Sequence, residues 1–185
     1  MLTHKGTQTL MTDRLILRRF VPEDAEAMYC NWASEELVTR HLTWLPHENV
    51  AATRALLEQW VQNYDRPDWY QWAIMLREEG QPIGSISVVS HDDRAQRAEI
   101  GYCIGSRWWN RGVMTEALGA VMGFLFEEVG MGRVEAKHDP ENPHSGAVMR
   151  KCGMRFEGTL RKSIWSNRGI VDVDCYSMLA EEWKK

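Results

Sequence analysis

The stretch AEIGYCIGSRWWNRGVMTEAL, Ala98 to Leu118, changes its period partway along. Up to Ile104 the side chains alternate: Ala98, Ile100, Tyr102 and Ile104 share one face, and Glu99, Gly101 and Cys103 the other, as in a strand. From Gly112 the pattern is helical. Strand, glycine turn and helix in succession require a layered α/β arrangement, and the first amides of the helix have no partner within it, so the turn aims N–H groups at an anion. Arg107 and Arg111 flank this turn and could pair with such an anion; the other reading is a plain turn glycine beside solvated arginines.

A second segment, NPHSGAVMRKCGMRFEG from Asn142 to Gly158, reads as a loop asparagine that opens a helix, which stops near Gly153 before another strand. Around these two, Arg14–Phe20 alternates as a half-buried strand, Pro22 opens a helix to about Trp32, and Asn49 to about Asn63 is an amphipathic helix. QWAIMLRE and PIGSISVVS form a hairpin about the turn EEGQP, a helix spans Gly112–Val129, and RVEAKHD is a strand. MRFEGTLRKSIW and GIVDVDCYSML close the chain around SNRG. The expected fold is α/β (α+β), one domain over residues 1–185 with 1–12 as a loose lead-in. Its mixed sheet has about seven strands, antiparallel hairpins first and then a parallel crossover, flanked by about four helices.

Composition excludes several function classes. With 44% hydrophobic and 26% charged residues the chain is globular, and no apolar run approaches the ~18 residues of a membrane span. A net charge of −4 with no Lys/Arg block argues against direct nucleic-acid binding. The first residues, MLTHKGTQTL, do not resemble a signal peptide, so a cytoplasmic location and four reduced cysteines are expected. No metal is expected, because His138, Asp139, Glu141 and His144 are spaced across two prolines in no standard ligand pattern. Asp172 and Asp174 share a face of the last strand, either to bind an amine or, preferably, to brace the hairpin.

A carboxylate on a central strand is costly unless paired or at work, so Glu99 is either a general base raised by burial or a salt-bridged structural group. Cys103 as a nucleophile lacks a histidine in its motif to ionise it.

Taken together, TDRLILRRFVPEDAEAM, PIGSISV, the two long motifs and an Asp-containing last strand ending in EEW resemble the GNAT superfamily of N-acetyltransferases over nearly the whole chain. The likeness is strongest to the Rim-type ribosomal-protein N-terminal acetyltransferases. It implies acetyl-CoA as cosubstrate, with its pyrophosphate on the amides of Asn110, Arg111, Gly112, Val113, Met114 and Thr115, and with Arg107 nearby. The pantetheine arm would lie along Tyr102, Cys103 and Ile104, where the parallel strands splay. A backbone N–H near Cys103 or Ile104 would hold the thioester oxygen. Asn142 would contact the arm and Ser145 would sit near the sulfur; otherwise these two are a helix cap and a first-turn serine.

The chain departs from the superfamily pattern at three places. Trp109 and Met114 stand where Gln/Arg and Gly/Ala are usual, and Met149 replaces a tyrosine that acts as general acid, leaving Ser145 or water. The resemblance implies direct transfer to a primary amine with Glu99 and Ser145 as catalytic groups. The expected acceptor is a protein N-terminal α-amine, the alternative is a small amine such as a polyamine, amino acid or aminoglycoside, and a non-catalytic CoA-binding module is the third reading. Phosphotransfer is excluded by the missing P-loop lysine. Acceptor choice is expected in Ser34–Asn49, the Trp69 region and the last hairpin, and pairing into a homodimer is compatible with the sequence.

Overall fold

The computed structural model describes residues 2–183. Eight strands form one sheet in the order β1-β2-β3-β4-β5-β6-β8-β7. They are β1 (Leu10–Met11), β2 (Leu15–Arg18), β3 (Gln71–Leu76), β4 (Pro82–Asp92), β5 (Arg97–Ile104), β6 (Arg133–His138), β7 (Arg155–Ser166) and β8 (Gly169–Leu179). The α-helices are α1 (Ala25–Met28), α2 (Glu36–Thr39), α3 (Val50–Asn63), α4 (Val113–Gly123) and α5 (Pro143–Lys151). All pairings are antiparallel except β5 with β6, joined through α4. The mixed sheet and its single parallel crossover match the sequence expectation.

The sheet has one more strand than expected, and five helices rather than four. The added strand is β1, two residues with no periodicity to read, paired with Leu17 and Ile16. Residues 2–12, expected as a loose lead-in, are tied down: the Thr3 N–H donates to the Val129 carbonyl, and the Thr7 hydroxyl to the Trp69 carbonyl. Those partners lie more than 60 residues away, beyond any local pattern. The expected Pro22–Trp32 helix holds in outline but is uneven, with a 3₁₀ turn at Pro22–Asp24 and a wider π turn at Tyr29–Ala33 around α1. Asn49 begins α3 as a true cap, its side chain accepting from the Ala52 N–H at 2.9 Å.

Two cores lie on opposite faces of the sheet. On one, Leu15, Leu17, Trp72, Ile74, Ala98 and Ile100 pack with Val113, Ala117, Leu118 and Val121 of α4 and Met149 of α5. On the other, Ala73 meets Phe20, Met28, Trp32, Val38 and Leu57 from α1–α3 and their connections. Alternation along β3 and β5 assigns each residue to a core. Thus Tyr102 and Ile104 pack against the first cluster and Cys103 against the second.

Candidate functional site

Parallel pairing of β5 with β6 stops at Ile100 and Ala136, although β5 continues to Ile104 beside β4. From Gly101 on, the β6 side of β5 therefore faces a gap, as expected for splayed strands. Backbone groups on such an edge can pair with an extended ligand. Trp109 closes the end of this strand, its indole N–H donating to the Ile104 carbonyl at 2.9 Å.

Beyond it the chain makes the turn read from sequence. Asn110 (φ 60°) and Gly112 (φ 73°) are both left-handed, and Gly112 caps α4 without a side-chain bond to its amides. A branched residue is strained at such a φ, so glycine sets this turn. Arg14 braces it from β2's end, donating to the Arg111 carbonyl and gripping Glu116 in the first turn of α4. Burial opposes the charge on Glu116, but the Thr12 hydroxyl and the Arg14 amide and guanidinium outweigh it and hold the carboxyl below its ordinary range.

A cavity of about 270 Å³ runs from the gap over this turn to α5. Tyr102, Cys103, Ile104, Asn110, Arg111, Gly112, Val113, Met114, Thr115, Asn142 and Ser145, all expected as ligand contacts, line it. Arg107 does not: its guanidinium lies 5.5 Å from the centre of the buried Trp108 ring. Arg40 and Lys151 supply cationic groups instead, and the His144 imidazole lies beside them. Their sequence signal was weak, since each is a single residue outside the glycine turn. The open amides, the cations and the unpaired strand edge fit a phosphate-bearing ligand with an extended amide arm.

A second cavity, about 530 Å³, lies on the other side of the gap. Its walls come from remote pieces: Trp32, Trp44, His47 and Trp60 around α1–α3, Glu99 on β5, Lys137 on β6, and Ile164, Val171 and Val173 of the last hairpin. Residues from all three regions expected to govern acceptor choice line it: Trp44 and His47 of Ser34–Asn49, Gln71, Ser85 and Ser87 of the hairpin after Trp69, and Ile164 and Val171 of the last hairpin. Trp69 itself lies outside these walls, with the Arg66 guanidinium 5.9 Å from its ring centre.

Glu99 faces this cavity paired with Lys137, Nζ to Oε2 2.7 Å, with side chains 18% and 28% exposed. Of the two readings of this carboxylate, working or paired, the resting structure shows the pair. The ammonium comes from β6, two residues beyond Glu135, which stands opposite Glu99 in the parallel ladder, and 38 residues on from Glu99.

Five residues line both cavities: His41, Tyr102, Cys103, Asn142 and Ser145. Asn142 caps α5, accepting weakly from the Ser145 N–H at 3.4 Å. The Ser145 hydroxyl donates to the Tyr102 hydroxyl (3.1 Å), which donates to the Ser145 carbonyl (3.0 Å). Burial drives the Tyr102 phenol well above its ordinary range, against the Ser145 hydrogen bond, and it drives the Cys103 thiol up too. Cys103 has the Ser85 hydroxyl at 3.4 Å, a neutral partner that does not offset the burial opposing its thiolate. Met149 is a core residue, 1% exposed, so that position is packing here rather than acid chemistry. The hydroxyl at the sulfur's expected place comes instead with a tyrosine from β5, which sequence spacing did not connect to Ser145.

His41, after α2, was not singled out from sequence. Its Nδ1 bonds Asp139 Oδ2 at 3.0 Å, and Arg168 reaches the same oxygen at 2.7 Å. Burial raises the Asp139 carboxyl, but bonds from His41, the Glu141 N–H and Arg168 prevail and hold it low. Asp172 and Asp174 serve the hairpin, accepting from the Lys162 N–H and the Thr159 hydroxyl. Among the described residues, the His/Asp grouping with ligand atoms within 4.8 Å is His4, His91 and Asp93, and it lines neither cavity. The four cysteines are unpaired. No helix among the described residues is long and apolar enough to cross a membrane.

Comparison with known proteins agrees with this architecture. The model of the GNAT acetyltransferase domain matches residues 14–155. The uncharacterized N-acetyltransferase YoaA of Bacillus subtilis is 30% identical over 170 residues, 92% of this chain and 96% of that protein. The ribosomal-protein-serine acetyltransferase of Escherichia coli is 25% identical, over 79% of this chain and 85% of its own. The crystal structure of a GNAT-family acetyltransferase from Bacillus anthracis superposes with a TM-score of 0.82 at 27% identity, covering 95% of this chain and all of that one. A family model spanning most of the sequence, on a sheet that opens beside an anion-seeking turn, establishes that the chain belongs to the GNAT family of acetyl-CoA-dependent N-acetyltransferases.

Proposed function

We propose that the chain acetylates the α-amine of a protein N-terminus, with acetyl-CoA in the 270 Å³ cavity and the acceptor in the 530 Å³ one. The observation that carries the reading is their meeting at Tyr102, Cys103, Asn142 and Ser145, where a thioester and an amine can come together without a covalent enzyme intermediate.

In this reading the amides from Asn110 to Thr115, with Arg111, Arg40 and Lys151, hold the phosphates, and the β5 edge pairs with the pantetheine arm. A backbone N–H of Cys103 or Ile104 steadies the oxyanion. Glu99, paired with Lys137, receives the acceptor's ammonium and takes its proton through water, delivering a neutral amine. The Ser145 hydroxyl, backed by Tyr102, gives a proton to the departing thiolate and is refilled from solvent.

Two features favour an acceptor that enters by its end. Val89 and Ile164 line the larger cavity and are 59% and 37% exposed, so its rim reaches solvent while Glu99 lies within. The walls are aromatic and aliphatic, with room for a first side chain. The relative in Escherichia coli named for ribosomal-protein serine acetylation supports the same acceptor class. Pairing of two copies has a candidate surface in the hairpin's exposed Phe156, Leu160, Trp165 and Ile170.

The test is acetyl-CoA turnover, read as free thiol, against N-terminal peptides and a panel of polyamines, amino acids and aminoglycosides. Peptides should give the highest kcat/KM. Turnover confined to small amines rejects the N-terminal reading, and acetyl-CoA binding without turnover on any amine rejects the enzyme reading.

A further inference from the structure

We propose that His41, oriented by Asp139, is the catalytic base that removes the proton from the amine nitrogen as it attacks the thioester. Of the five residues common to both cavities, Asn142 does not titrate, the Ser145 hydroxyl is engaged with Tyr102, and Tyr102 and Cys103 are held protonated by burial. An imidazole is the group whose ordinary range lies near neutrality, at about pH 6.5. His41 is therefore the one imidazole standing where the two cavities meet.

Its local geometry is that of an oriented base. Nδ1–H donates to Asp139 Oδ2 at 3.0 Å, which fixes the tautomer and leaves Nε2 as the acceptor. Nε2 has no hydrogen-bond partner among the described residues, and the side chain is 19% exposed. Asp139 is 4% exposed and is held ionised by Arg168 and the Glu141 N–H, so the orienting charge persists while the imidazole cycles. Three separate connections build the arrangement: the loop after α2, the β6–α5 loop, and the β7–β8 turn through Arg168. Other charges face the region. Arg40 neighbours His41 in sequence, Glu141 pairs with Arg168, His144 and Lys151 lie along the smaller cavity, and His138 and the Glu99–Lys137 pair lie along the larger.

The step balances. The amine nitrogen bonds to the carbonyl carbon and loses one proton to His41 Nε2. The C–S bond breaks, and the thiolate takes one proton from the Ser145 hydroxyl. The imidazolium then returns its proton to solvent or to the serine. Glu99 acts earlier, on the first proton of the ammonium, so the two groups have separable effects. The inference rests on the transfer assigned above, though not on which amine is the acceptor.

The experiment uses whichever acceptor the wild type acetylates fastest, small amines included, so that a failure of the N-terminal reading leaves this test intact. His41→Asn keeps a donor to Asp139 but removes the base, and His41→Gln is the second variant should the first unfold. The expected result is a fall in kcat of about 100-fold or more with unchanged acetyl-CoA Kd, and loss of the limb of the pH–rate profile centred in the imidazole range. Glu99→Gln should keep that limb and raise acceptor KM. A folded His41→Asn or His41→Gln enzyme within about threefold of wild-type kcat, or one that keeps the limb while Glu99→Gln loses it, overturns the proposal.

Discussion

The two cavities differ in what builds them. The smaller is largely backbone: a strand edge left unpaired after Ile100, and a turn set by the left-handed Asn110 and Gly112. The larger is side chains, three of them tryptophans, gathered from α1–α3, β5, β6 and the last hairpin. A backbone site needs contiguous residues and so leaves a motif. A side-chain site can draw on any element that reaches it, so its composition can change while the fold is retained. The smaller cavity suits the constant half of a reaction, and the larger the half that varies.

Substitutions can break this contrast. The largest effect is expected at Trp32, which lines the larger cavity yet is fully buried in the second core. Trp32→Ala should cost about 3–5 kcal/mol of stability, read by urea unfolding. A loss below 1 kcal/mol would mean that this wall is separate from the core. Gly112→Val should leave the fold intact but strain the turn by about 1–2 kcal/mol, weakening acetyl-CoA binding roughly tenfold by calorimetry. An unchanged Kd would show that the turn's geometry does not govern the cofactor site.

Lys137→Met tests the independence of the two halves. Freed of its partner, Glu99 should alter acceptor KM a few-fold while acetyl-CoA Kd stays put. Movement of both constants would tie the cavities together. The smallest effect lies outside both. The Arg133 guanidinium, then the Ser177 hydroxyl, hold the Glu157 carboxyl down at about 2, against an ordinary 4.5. Its pairing therefore stabilises the fold above pH 4.5 and is lost as pH falls from 4.5 towards 2. Glu157 is 42% exposed, so the contribution is under about 1 kcal/mol. Urea midpoints of wild type and Glu157→Gln should converge at low pH, and a constant gap would contradict this.

What was legible in the residues followed the same division. Alternation assigned Tyr102, Ile104 and Cys103 to their faces, and the strand–glycine–helix pattern located the smaller cavity, because both depend on local geometry. The packing of Arg107 on Trp108 was not legible, since spacing says where a side chain starts and not which ring it packs on. The pairing of Glu99 with Lys137 depends on parallel register, and that of Tyr102 with Ser145 on a crossing of β5 and α5 43 residues apart. Met149 shows the converse case: the motif position is present, but the helix face is buried.

The sequence by itself determined a mixed sheet with one parallel crossover, an anion-binding turn at Gly112 and a likeness to one enzyme family, all properties of neighbouring residues. Only the tertiary structure decided that His41, Asp139 and Arg168 meet, that β1 ties down the start of the chain, and that three tryptophans enclose a second cavity. These contacts join segments tens of residues apart, where the energy comes from burial and pairing and the chain carries no local period to announce it.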